Sequence, residues 1–229
     1  MKRRTFQLIT IALIAGLQCV SGQDVRSERN NVSERNWDNF LKCFEPVLKS
    51  AGGVGRLYYR ADCWTERGDG ILFPRLELEA PAKSKTGLAA IQDIFRKERQ
   101  VTVTEGRSGI SRTAIGNVNY ELLNTKIHLL TFTPSERYNE NEAIRAIERT
   151  KEVQAKMHEL KVEHTPTIFF GRVLEPAAGL PHLPVSLKDV TMDEALDRVA
   201  QTFGGLVTYG ECTSGNGTRL FSVEFDYIR

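Results

Sequence analysis

The stretch from Pro184 to Tyr227 constrains the fold more than any other part of this chain. Val185, Leu187 and Val190 read as a strand leading into Thr191-Met192-Asp193-Glu194, where threonine and glutamate stand three apart, as in a capping box. The threonine hydroxyl accepts from an early helical N–H while the glutamate accepts from the backbone N–H of the cap residue. Met192, Ala195, Leu196, Val199 and Phe203 then share one helix face, and Gly204-Gly205 supplies the left-handed residue that ends it. Leu206 to Tyr209 predict a strand. After the Gly215-Asn216-Gly217 turn, Phe221, Val223, Phe225 and Tyr227 alternate with polar residues and predict another. The segment reads as a βαββ unit.

A fainter copy runs from Ile71 to Ile115. Leu76 and Leu78 alternate with charges as in a half-buried strand. Leu88, Ile91, Ile94 and Phe95 line a helix face closed by Arg96 and Lys97, cations that suit a helix C-terminus. Val101 and Val103 predict a strand, and the hairpin bracketed by Gly106 and Gly109 returns through Ile110 to Ile115. An offset of 105 residues superposes Ile91 on Leu196, Ile94 on Val199, Val101 on Leu206 and Ile115 on Leu220, the pattern a duplicated unit would leave. Between the copies, Tyr120 to Phe132 reads as a turn and strand. Ala143, Ile144 and Ile147 continue into Val153, Met157 and Leu160 as two helices meeting near Thr150. Thr167 to Phe170 reads as a short strand.

The fold class expected is therefore α+β: two small βαββ units joined by a helical segment. The division runs 1–22, an export signal; 23–70, a partly disordered lead-in; 71–165, the first unit with its helical segment; 166–183, a proline-rich linker; and 184–229, the second unit. In the lead-in, Trp37, Phe40, Leu41, Phe44, Val47 and Leu48 suit a helix face that Pro46 would bend or break. Leu57-Tyr58-Tyr59 suits a short strand.

The export signal rests on basic Lys2, Arg3 and Arg4, the apolar run Phe6 to Leu17, and Val20-Ser21-Gly22 before a cleavage site at Gln23. The run is about a dozen residues, against the roughly 20 that cross a bilayer, so no membrane span is expected. Removing residues 1–22 takes away three cations and no acid, and the formal net charge falls from +2 to −1. A chain so nearly neutral is a poor binder of nucleic acid by bulk electrostatics. The protein is expected in the periplasm of a Gram-negative bacterium, or otherwise outside the cell.

Export matters for the cysteines, because an oxidising compartment favours disulfides. Cys43, Cys63 and Cys212 remain after cleavage. Cys43–Cys63 is the pairing expected, a bridge that closes a loop of about 20 residues and contributes ~3 kcal/mol by restricting the unfolded chain. Cys212 is then left as a buried or idle thiol.

At Val185-Ser186-Leu187-Lys188-Asp189-Val190-Thr191, with Glu194-Ala195-Leu196 and Phe203-Gly204-Gly205-Leu206-Val207 following, the chain resembles the short N-terminal module of secretins and TonB-dependent transporters. That resemblance covers about 45 residues and implies a strand running into a helix with a valine-threonine and alanine-leucine start, then a glycine-rich end and a strand. It carries over no functional residue.

Catalytic patterns are weak throughout. His158-Glu159 and Glu163-His164 lack the spacing of a zinc-protease helix, which sets two histidines four apart. His128 reads as a half-buried strand residue and His182 as exposed. Ser108 and Ser214 sit in no nucleophile elbow. Glu77, Glu79, Glu224 and Asp226 read as solvent-facing strand carboxylates. Gly52-Gly53-Val54-Gly55 lacks the lysine of a phosphate loop. Tyr58, Tyr59 and Trp64 together would suit a stacking surface for a sugar or peptide. No catalytic, cofactor or metal residue is assigned, and no cofactor is expected. The function expected is a non-enzymatic interaction module that receives another envelope protein at an exposed sheet edge. The alternative is a small envelope hydrolase with a site built from scattered residues, which would need a concave pocket holding a histidine or carboxylate of shifted pKa.

Overall fold

The computed structural model describes residues 22–64, 70–106, 109–165 and 179–228. Apart from Gly22, the export signal lies outside the described residues, as do Thr167–Phe170 and most of the linker expected over 166–183. The architecture is α+β. Helix α1 is Gly22–Ser50 and strand β1 is Gly55–Arg60; then come α2 (Gly87–Ile94), β2 (Val101–Glu105), β3 (Ser111–Ile115) and β4 (Lys126–Thr131). Three helices follow, α3 (Pro134–Tyr138), α4 (Glu140–Glu148) and α5 (Lys151–Leu160), then β5 (Val162–His164) and β6 (Ser186–Thr191). Helix α6 (Met192–Phe203) and the hairpin β7 (Gly205–Thr213) and β8 (Arg219–Tyr227) complete the order.

Six strands form one sheet in the order β2-β3-β1-β7-β8-β5, and β4 pairs with β6 in a separate two-stranded sheet. The helix-hairpin parts of both expected units, α2-β2-β3 and α6-β7-β8, are present, and their hairpins share the large sheet. Strand β1 lies between them, parallel to β3 on one side and to β7 on the other. The strand that precedes α6 pairs with β4 and not with the hairpin that follows. Between Ile71 and α2 the described residues form no strand, only an isolated bridge from Ile71 to Cys63. Leu76 and Leu78 alternate in burial against α1 and α2, so period-two burial arises there by packing on helices without a ladder partner.

Strand alternation sends β1 side chains to opposite faces of the sheet. Leu57 and Tyr59 point into a core with Phe40, Phe44, Val47 and Leu48 of α1, Ala90, Ile91 and Ile94 of α2, and Leu206 of β7. Tyr58 joins the other core, with Ile144 and Ile147 of α4, Leu196 and Val199 of α6, and Val207, Tyr209, Phe221 and Val223 of the β7–β8 hairpin. The first core leans on aromatic contacts: the Phe40 ring lies 4.7 Å from Phe44 and 5.0 Å from Phe73. Tyr59 crosses Gly210, where an added Cβ would stand 2.5 Å from the ring Cζ, so the strand needs glycine at that point.

Several expectations change. Residues 23–36, expected to be disordered, are helical in α1, which continues through Pro46. Burial of Phe40, Phe44, Val47 and Leu48 on the sheet offsets the backbone bond that proline cannot make. The disulfide joins Cys63 to Cys212, with Cα atoms 5.2 Å apart, and Cys43 is a free thiol on the exposed side of α1. This corrects the pairing of Cys43 with Cys63. The reason is the register of β1 on β7: Arg60 lies opposite Glu211, so the chain leaving β1 brings Cys63 alongside Cys212. Cys212 is buried, in keeping with one of the two readings, but it is bridged and not a thiol.

The unit read most directly keeps its local features. Thr191 accepts from the Glu194 N–H at 3.1 Å, and Glu194 accepts from the Thr191 N–H at 2.8 Å. Gly204 caps the helix in the left-handed region at φ 68°. Helices α4 and α5 meet at Thr150, as the spacing predicts.

Candidate functional site

Two places concentrate polar chemistry, one beneath α6 and one along the outer edge of β8. The first begins with an arginine in the sheet interior. Arg56 of β1 is fully buried, on the face that α6 covers. Asp193 and Asp197 stand four apart on α6, which places both on one side of the helix, above Arg56. An Arg56 Nη1–H donates to Asp197 at 3.0 Å and to the Asp193 carbonyl at 2.9 Å, and Nη2 lies 3.1 Å from the Asp193 carboxylate. Arg112 of β3 approaches from the open side, 2.9 Å from Asp193 and 2.5 Å from Asp197. The Tyr58 hydroxyl donates to Asp193 at 2.8 Å, and its ring lies 5.0 Å below the Arg56 guanidinium. Burial raises the Asp197 pKa above the ordinary carboxylate value, against the downward pull of the two guanidinium groups. Burial likewise pushes the Tyr58 phenol up.

This cluster opens into a polar cleft of about 660 Å³ whose wall includes Arg112, Asn124, Asp193, Asp197 and Arg198. A concave site holding a shifted carboxylate is what acid–base chemistry would require. Here each carboxylate is held by two arginines. Asp193 and Asp197 therefore tie α6 to β1 and β3, as charge-assisted bonds between elements far apart in sequence.

The second place is the β8 edge. Among the described residues, strand β5 pairs with β8 only at Arg219, Leu220 and Phe221, whereas β8 extends to Tyr227. Beyond Phe221, no described strand lies on that side. The Thr165 N–H donates to the Phe221 carbonyl at 2.8 Å, which fixes the direction of the backbone groups. By alternation, the N–H and C=O groups of Val223, Phe225 and Tyr227 also point away from β7. Val223 and Phe225 turn their side chains toward α4 and α6, and the Tyr227 hydroxyl donates to Glu140 at 2.9 Å. Glu224 and Asp226 turn toward α1. Burial, together with the nearby Glu45 carboxylate, pushes the Asp226 pKa up to about 6. Burial and Asp226 raise that of Glu224, while His164 works in the opposite direction.

The remaining candidates fall apart spatially. Tyr58 and Tyr59 are buried on opposite faces, so with Trp64 they form no common stacking surface. Among the described residues no group of histidine, cysteine and carboxylate side chains could hold a metal ion. His158 is exposed, while His164 packs edge-on against Phe221 at 5.1 Å and lies 3.2 Å from Glu148. Burial alone would lower the His164 pKa; the Glu148 carboxylate outweighs it, and the net direction is upward. His128, expected half-buried, is exposed and sits 3.3 Å from Asp189, because the two-stranded sheet turns that face outward. His182 is exposed, as expected, and stacks on Tyr138 at 5.2 Å. Glu79 is paired with Arg96 and Lys97.

Sequence reasoning passed over Arg56 and Arg112. The signal that could have found them was Asp193 and Asp197, two acids four apart beside the buried Leu196. No described helix is long and apolar enough to cross a membrane. Comparison with protein-family models, with curated proteins and with solved structures finds no match to this chain.

Proposed function

We propose that this is an exported envelope protein that works as a non-enzymatic interaction module, receiving an extended segment of another envelope protein along the open edge of β8. One observation carries the reading: at the end of the central sheet the short β5 covers, among the described residues, three of the nine residues of β8. An unpaired row of N–H and C=O groups is a template for a further strand, and backbone pairing supplies affinity without any catalytic group. The disulfide is in keeping with an oxidising compartment. The passage from β6 through the capped α6 to β7 supports the likeness to the short N-terminal module of secretins and TonB-dependent transporters.

A photoreactive p-benzoylphenylalanine placed at Glu224 tests the reading in the native envelope. The expected result is one discrete cross-linked adduct, with none from the same probe at Lys151 on the exposed side of α5. Equal labelling from both positions, or none from either, defeats the proposal.

A further inference from the structure

Between Phe73 and α2 the chain crosses the groove formed by α1 and α2, and no described strand pairs with it. A strap without a ladder must place its backbone groups elsewhere. They go to side chains and to a helix end. The Glu77 N–H donates to the Glu98 carboxylate, and the Ala82 N–H donates to Asp93 at 2.7 Å. The Glu79 N–H donates to the Ile94 carbonyl at 3.1 Å, an acceptor left over by the last turn of α2. The Ala80 carbonyl accepts from Arg96 at 3.3 Å, and the Glu79 carboxylate pairs with Arg96 and Lys97.

Side chains divide the strap into a fixed start and a looser remainder. Phe73 is buried among Trp37, Phe40 and Tyr59, with ring centroids 4.8, 5.0 and 5.2 Å away. Beyond it, Leu76 and Leu78 are half-buried on the same core, while Arg75, Glu77, Ala80 and Ala82 are exposed. Nor is the strap close-packed on α1 as a protein interior would be. A hollow of about 250 Å³ reaches Asn39, Phe40, Leu76 and Leu78, and one of about 450 Å³ reaches Pro46, Val47, Glu79 and Pro81. Few buried contacts and exposed backbone bonds mark a segment that opens apart from the rest of a fold. Its start stays in place, since Phe73 is caged and Ile71 bridges Cys63, which is bonded to Cys212. Its far end reaches Gly87 at φ 55°, where glycine permits a left-handed hinge.

We propose that residues 74–83 are a displaceable strap lying in a peptide-binding groove. Once the strap lifts, the groove receives an extended segment of another protein in which apolar residues alternate with acidic ones. The strap is the internal copy of that partner. Leu76 and Leu78 show that two apolar residues two apart fit the floor. The carboxylate of Glu79 meets Arg96 and Lys97, and its N–H caps Ile94. A basic segment would set its cations against Arg96 and Lys97. No residue of β8 takes part, so this surface stands apart from the strand-capture reading.

Hydrogen exchange on the intact protein tests the strap. Protection at the Glu77, Glu79 and Ala82 amides should lie about a hundredfold below that at Leu57 and Tyr59 in β1. Equal protection would mean that strap and sheet open together, and would overturn the proposal. A synthetic peptide of residues 74–83 tests the groove. A groove open for part of the time binds more weakly in proportion. Loosening the strap by Leu76→Ser with Leu78→Ser should therefore tighten peptide binding by roughly tenfold over the parent. The same peptide carrying Glu79→Lys should lose about tenfold, as a reversed charge facing two cations requires. Glu79→Gln in the protein loosens the strap at its rim without touching the core. It should give a smaller gain, and it decides the matter where the double variant fails to fold. Peptide binding that neither variant tightens, that ignores the Glu79→Lys reversal, or that is absent from all three proteins overturns the groove as a docking site.

Discussion

The two helix-hairpin units of this protein attach their helices to one sheet by different means. Helix α2 lies on the α1 face through Ala90, Ile91 and Ile94, with Phe95 just beyond its end, and no ionic group ties it to the strands beneath. Helix α6 lies on the opposite face, where Met192, Leu196 and Val199 are joined by Asp193 and Asp197, bound to arginines of β1 and β3. The hairpins differ as well. In the first unit the second strand, β3, pairs with β1; in the second unit it is the first strand, β7. Equal spacing of apolar residues in sequence has therefore produced two units that face opposite ways. Apolar attachment is indifferent to small rotations of a helix, whereas the paired carboxylates admit one rotation of α6 and one position along β1. The ion-held unit also carries β8, so the position of that strand follows the rotation the carboxylates fix.

The sharpest way to break this contrast is Arg56→Met. Removing the fully buried arginine leaves two carboxylates sharing the single charge of Arg112, and the expected loss is about 3–5 kcal/mol in urea denaturation. Adding Asp197→Leu should recover at least half of that loss, since replacing both partners by apolar groups removes the stranded charge. Ile91→Ala in the apolar unit should also cost about 2–5 kcal/mol through cavity formation, with no second substitution that restores it. A loss below about 1 kcal/mol for Arg56→Met would mean that α6 is held by its apolar stripe alone, and the contrast would vanish.

How far the sequence discloses this design depends on distance along the chain. The capping box at Thr191, the glycine end at Gly204 and the meeting of α4 and α5 at Thr150 are all set by residues within a few positions of one another, and local chemistry decides them. The Cys63–Cys212 bridge depends on β1 lying beside β7, a pairing across 149 residues that leaves no local trace. The partner of β6 is equally non-local: it is β4, and nothing between Ser186 and Thr191 announces it. At the candidate edge, the alternation of β8 was legible and placed Glu224 and Asp226 on one face. The half-burial of Asp226 was not, because it comes from Leu41 and Glu45 on a helix that reads as disordered at its start.

A smaller effect separates the two units by charge. Asp226 has a folded pKa of about 6, above the roughly 4 of an unfolded aspartate, so the folded protein binds this proton more tightly. Stability should therefore decline as pH rises from about 4 to about 6, and the penalty is in full force above 6. Asp226→Asn is expected to raise stability at pH 8 by about 1 kcal/mol, after allowance for solvent screening of a half-buried group, and to change nothing at pH 4. Thermal denaturation at the two pH values decides it. A variant less stable than the parent at pH 8 would mean that the ionised carboxylate is stabilised within the chain.

The finest distinction lies at the helix starts. Both α2 and α6 follow a threonine in extended conformation, Thr86 and Thr191. Thr191 makes its capping bonds in both directions, while the Thr86 side chain makes none. Alanine at a working N-cap typically costs about 1 kcal/mol, because an early helical N–H loses its acceptor. Thr191→Ala should show that loss, whereas Thr86→Ala should fall within a few tenths of zero, a difference that urea midpoints resolve when both variants keep the parent slope. Equal losses would mean that α2 is capped by its threonine in solution, and that the two helices begin alike and differ only in what lies beneath them.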